Sequence, residues 1–292
     1  MGESSTGFGL SYAFFLFILM LLSWRSGVHD PLHRPASQPY VFGFLIATLL
    51  FIVSAFVPAP LRFYLWSIAV LLTLVLPFIM LFLGRRNPQI RKEIARSATP
   101  TASLVERFGL FTIIVLGEVI VGVVNGLAEH HHLDGAVLLT AGLGMLIAIS
   151  LWWVYFDFIS HHLPVEGLRT TYTWAYLHLP LTASITAAGA AVLNVVEHSG
   201  EHLPAEVRGL LVGAIAVALI TISLLMRTIH VPPSHHKILQ TGSRVTLVVA
   251  IIIALLGFSS LETIPLLVVL VLLMLAPVFF GFRVWIKGLQ AA

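Results

Sequence analysis

Cysteine is absent from the 292 residues. That absence removes disulfides, thiolate metal sites, iron–sulfur clusters and cysteine nucleophiles from the chemistry open to the chain. Charge is scarce too: Asp, Glu, Lys and Arg make up 10% of residues, against about a quarter in an ordinary soluble domain. There is no glycine-rich phosphate loop, no H-E-x-x-H and no G-x-S-x-G, which argues against a standard hydrolase or a nucleotide-driven pump. Residues 1–7 carry Glu3 as their only charged side chain and have no basic leader or small-residue cleavage site. The first apolar run therefore reads as a retained span, not a signal peptide. No cofactor and no separate soluble domain is expected.

What fills the chain is hydrocarbon: 58% of residues are hydrophobic and the mean hydropathy is +0.99. A helix needs roughly 20 apolar residues to cross about 30 Å of bilayer at 1.5 Å per residue. Runs of that kind lie at 8–24, 40–57, 61–83, 104–127, 135–158, 172–196, 208–228, 244–260 and 263–284. Lipid offers the backbone no hydrogen-bond partners, so such runs must be helical. The expected fold is all-α, a polytopic transmembrane helix bundle of about nine spans.

The basic residues sort into alternate gaps between these runs. One set of gaps collects Arg25, Arg34, Arg85, Arg86, Arg91, Lys92, Arg96, Arg107, Arg169, Arg227, Lys237, Arg244, Arg283 and Lys287, and the other only Arg62 and Arg208. Cytoplasmic loops retain the excess of Lys and Arg, so the expected orientation is N-out/C-in. The net charge of +3 and pI near 9.4 then reflect anchoring to membrane lipids at helix ends, and no nucleic-acid partner is implied. Three organisational parts follow: 1–83 with three spans, 84–103 as a basic cytoplasmic linker or surface-lying helix, and 104–292 as a six-span bundle. Ser103 and Glu106 have the spacing of a helix capping box at the head of the fourth span. Gly122 with Gly126, Gly142 with Gly144, Ala187 to Ala191 and Gly209 with Gly213 offer small surfaces, for packing within the bundle or for a dimer seam.

Glu118 is the sharpest single residue, about eleven residues (~16 Å) into the fourth span, at mid-bilayer depth. An ionisable group there costs about 2.5–3.5 kcal/mol on insertion scales. Asn125 and Gly122 follow it at i+7 and i+4. The carboxylate either binds a proton or cation or makes a hydrogen bond that packs helices. His178 lies below an aromatic belt of Tyr172, Trp174 and Tyr176, two residues before the helix-kinking Pro180. It either relays protons with Glu118 or bridges helices. Asp157 closes the fifth span, as a mouth carboxylate that gathers cations or as the partner of Arg107, Arg169 or Arg227. Arg107 is a topological anchor or neutralises a substrate. His198 and His202 share the i,i+4 spacing that chelates zinc or nickel on a helix. The pairs His161–His162 and His235–His236 carry less weight.

The run Glu106-Arg107-Phe108-Gly109-Leu110 through Leu116-Gly117-Glu118, followed by Leu151 to Asp157 and Tyr176-Leu177-His178-Leu179-Pro180, resembles the bacterial low temperature requirement protein A family. The matching positions are Glu106, Arg107, Glu118, Asp157 and His178, and the resemblance runs from about residue 8 onward. It implies a multi-pass protein of the bacterial inner membrane linked to growth in the cold. Family members usually begin with an acidic E-L-F-F-D-L-type span and further tryptophan-rich spans. Those features are not found here, so the resemblance implies about three further spans and both ends inside. The leading expectation is a protein that moves protons or a small ion, with Glu118 as the embedded carboxylate, His178 as relay and Asp157 at the inner mouth. The alternative is a non-transporting membrane scaffold or sensor.

Overall fold

A computed structural model describes residues 2–31, 34–97, 100–199 and 203–291. They form ten helices: α1 Gly2–His29, α2 Arg34–Ser54, α3 Leu61–Gly84, α4 Pro88–Ser97, α5 Ala102–Ala128, α6 Gly135–Phe158, α7 Leu168–Glu197, α8 Ala205–Leu225, α9 His236–Leu256 and α10 Thr263–Ala291. A short 3-10 turn, Pro233–His235, precedes α9. Among the described residues, nine helices are long and apolar enough to cross a membrane, and α4 is the exception. The chain is an integral multi-pass membrane protein.

Each apolar run lies on its own helix, with ends that shift by several residues, and the largest shift of a helix start is at the eighth. There the expectation was 244–260, and the helix instead begins at His236 and ends at Leu256. Lys237, Gln240 and Arg244 look like loop, but long polar side chains on an end turn reach toward the interface and leave the backbone helical. The capping box at Ser103 and Glu106 is not formed. Thr101, extended at φ −115° and ψ 151°, accepts from the Leu104 N–H and starts α5 instead. Asp134 starts α6 in the same way, accepting from Val137 N at 2.9 Å.

The chain divides into two compact units, Met1–Thr99 and Pro100–Ala292. In the first, α1, α2 and α3 enclose Ala13, Leu16, Ala47, Phe51 and Ala69, with Trp66 donating to Ser54 Oγ at 2.7 Å. Arg62, on the first turn of α3, donates to the Ser54 carbonyl at 2.9 Å and the Val57 carbonyl at 3.1 Å, where α2 has run out of its own donors. The basic linker contains α4, amphipathic by composition. It buries Ile90 and Ile94 against the end of α3 and leaves Arg91 and Lys92 exposed.

In the second unit α5 packs on α7, α7 on α8, α8 on α9, and α10 on α6 and α9. Lipid tails are as apolar as leucine, so these contacts depend on close fit and interhelical hydrogen bonds. At Gly122 a helix meets backbone, and a Cβ would lie 2.6 Å from the Gly189 carbonyl oxygen. Gly126 and Gly144 also meet α7 side chains closely, whereas Gly142, Gly209 and Gly213 have no neighbour at the Cβ position among the described residues. Ser223 of α8 and Ser243 of α9 join their hydroxyls at 2.9 Å in the buried interior. Arg208, only 7% exposed, donates to the Leu261 carbonyl at 2.7 Å and to the Ser259 carbonyl, closing the turn between α9 and α10.

Candidate functional site

Two loops remote in sequence build a polar recess in the second unit. The segment after α6 and the segment after α8 are clipped together by Val165 N to Thr228 O at 2.8 Å and His230 N to Leu163 O at 2.7 Å. The clip brings His162, from the first loop, and His235, from the turn before α9, to one cleft of about 260 Å³. Asp157, in the last turn of α6, supplies its carboxylate, and Phe158, Val231 and Leu239 supply apolar wall. Gly281 of α10 is what lets the carboxylate sit there, because any Cβ at that position would collide with Asp157 Oδ2.

Charge in this cleft is one-sided. His161 lies close enough to act electrostatically on the Asp157 carboxylate. Among the described residues the structure gives Asp157 no ion pair with Arg107, Arg169 or Arg227; Arg227 is directed to Ser243 Oγ at 3.3 Å. Burial pushes the His162 imidazole below its ordinary value, and neighbouring His161 and His235 push the same way. The cleft wall therefore favours the neutral form of the His162 imidazole.

His178 is in a different setting. It is 2% exposed and enclosed by the rings of Trp174 and Phe108, at 4.5 and 4.6 Å between centroids. Nδ1 lies 2.8 Å from the Trp174 carbonyl, which can only accept, so Nδ1 carries the proton. Nε2 of the neutral ring then accepts from the Tyr155 hydroxyl at 3.1 Å. Both nitrogens are thereby satisfied, and α7 continues through Pro180 with Thr182 bonding back to the His178 carbonyl at 2.8 Å.

Glu118 does not join that cluster. The Gly122–Gly189 contact brings α7 against the backbone of Glu118, within 3.1 Å of a Cβ at Gly189, and the carboxylate side chain is exposed. Asn125 and Arg107 are exposed as well. Glu106, also exposed, lines a second recess of about 390 Å³ with Ser160 and His161. His198 is exposed, its Nδ1 3.1 Å from the Asn194 carbonyl. His202, its expected chelating partner, lies outside the described residues. Among the described residues, no three His, Asp or Glu side chains are grouped as metal ligands.

His162 and His235 are the residues that sequence reasoning underweighted. Each pair of adjacent histidines is visible in the sequence, but their convergence depends on the clip between the loops. No curated protein and no solved structure shows significant similarity to the chain. The family described as bacterial low temperature requirement A protein (LtrA) matches residues 1–280, nearly the whole chain and all the helices that carry Glu118, Asp157 and His178. The protein belongs to the bacterial low temperature requirement A family.

Proposed function

We propose that this protein moves protons, or a small cation exchanged with them, across the bacterial inner membrane, with the Asp157–His162–His235 cleft as the mouth of the route. The observation that carries the reading is that a carboxylate and two imidazoles from three separate elements line one recess at the end of α6. A carboxylate there attracts a cation, and imidazole side chains can take up and release protons. The uneven distribution of Lys and Arg supports N-out/C-in, which turns this cleft to the cytoplasm. Glu118 is the mid-membrane carboxylate in this reading, and His178 a structural partner of Tyr155 that becomes a relay only by giving up one of its two bonds.

A second reading, a non-transporting scaffold or sensor, is favoured by that same His178, whose two nitrogens are already bonded. Reconstitution into vesicles with an enclosed pH-sensitive dye separates them. Transport predicts acidification when a proton gradient is applied with valinomycin and potassium to balance charge. Vesicles as tight as protein-free ones contradict it.

A further inference from the structure

The recess between α5 and the end of α6, about 390 Å³, is polar at its rim and apolar along its length. The described residues that line it all belong to Pro100–Ala292, and the ion route proposed above does not use it. Glu106, Gly109, Leu110 and Ile113 share one face of α5, because they follow one another at helical spacing. Phe156 and Ser160, one turn apart, line the opposite wall. Gly109 keeps the middle open: a Cβ there would meet Phe156 Cε1 at 3.8 Å and Ser160 Cβ at 3.9 Å, so a methyl group fits and a longer side chain would fill the space. The helix spans the membrane and begins at Ala102, which puts the rim near the membrane surface and Ile113 ~16 Å deeper. Polar groups at the surface above an apolar wall suit a molecule with a polar head and an aliphatic tail.

The rim specifies the head. Glu106 is exposed, and among the described residues no hydrogen bond or ion pair engages its carboxylate. Ser160 Oγ donates to the Phe156 carbonyl at 3.0 Å, so its hydrogen is committed and what it offers a ligand is an acceptor. A carboxylate and an accepting hydroxyl oxygen together suit a primary ammonium, which carries charge and three N–H donors. A quaternary ammonium has the charge and no donor. An anionic head would meet the Glu106 carboxylate as like charge. His161, on the same rim, has an imidazole N–H to give to a phosphate oxygen. We propose that this recess binds one molecule of phosphatidylethanolamine, its ammonium on Glu106 and Ser160, its phosphate toward His161 and one acyl chain along Leu110, Ile113 and Phe156. The proposal is independent of transport, because a lipid that ties two helix ends together would serve a scaffold equally.

The test is native mass spectrometry of the full chain from micelles holding equal amounts of phosphatidylethanolamine, phosphatidylcholine and phosphatidylglycerol with matched acyl chains. One retained phosphatidylethanolamine is expected, several-fold more abundant than either other adduct. Glu106→Gln keeps the size of the side chain, removes its charge and is expected to cut that preference several-fold. Glu166→Gln removes an exposed carboxylate that does not line the recess, and is expected to leave the preference unchanged. Gly109→Ala is expected to retain the lipid and Gly109→Leu to lose it, with cooperative thermal unfolding kept in both. The Glu106 and Glu166 variants decide the matter whether or not Gly109→Leu folds. No retained lipid, equal retention of all three, or an unchanged preference in Glu106→Gln would overturn the proposal.

Discussion

The two units of this protein put the same kind of helix to different use. The first buries a small core of Ala, Leu and Phe beside Trp66, and its spans carry no ionisable side chain near their middles. The second carries Glu118, His178 and Asp157, interior Ser223 and Ser243, and a recess lined by histidines. In lipid every such group has a cost, and the second unit carries most of it. The units also share a device. Arg62 and Arg208, the two basic residues on the sparsely charged side, each donate to carbonyls at the end of a helix, Ser54 and Val57 in one case, Ser259 and Leu261 in the other. The two exceptions to the charge pattern therefore have a structural reason.

That parallel can be broken by truncating the two arginines. Arg208→Ala removes two charge-assisted bonds from a buried turn and is expected to lower unfolding stability in detergent by about 3 kcal/mol. Gly122→Ala pushes a methyl group against the Gly189 carbonyl of α7 and is expected to cost about 2 kcal/mol by the same measurement. Arg62→Ala is expected to cost less, about 1 kcal/mol, because the turn after α2 is more accessible and water can take over its carbonyls. If Arg62→Ala proves the more damaging of the two arginine variants, the first unit is not the simpler scaffold described here.

The smallest effect is in pH dependence. Burial holds His162 below its ordinary value of 6.5, so the folded protein binds this proton less readily than the unfolded chain. The sign follows from linkage: stability is unaffected well above 6.5 and falls as pH drops below it, because protonation favours the state in which His162 is open to water. His162→Gln should flatten that acid-side fall in a thermal scan from about pH 7 to pH 5. An unchanged slope would mean that His162 is not buried in the cleft wall.

Much of the fold was legible because lipid imposes a length and a helical backbone on each apolar run. The start of α9 was misread because Lys237 and Arg244 belong to its first turns. Depth was legible as well, and placed Glu118 at mid-bilayer. Direction was not: whether Glu118 faces inward depends on which side of α5 meets α7, and Gly122 with Gly189 settles that by packing. The His178–Tyr155 bond spans 23 positions and depends on the register of α6 against α7. The cleft depends on a clip between loops more than sixty residues apart, Val165 to Thr228, for which local pattern has no signal.

The central claim is that the titratable recess of the second unit serves ion movement and the first unit does not. Its most direct test is proton uptake into vesicles reconstituted with equal amounts of parental protein, Asp157→Asn and Trp66→Phe. Asp157→Asn keeps the size of the side chain and removes its charge, while Trp66→Phe alters the aromatic core of the first unit and removes the hydrogen bond to Ser54. The account predicts parental uptake for Trp66→Phe and none above protein-free vesicles for Asp157→Asn. Full uptake by folded Asp157→Asn would contradict it.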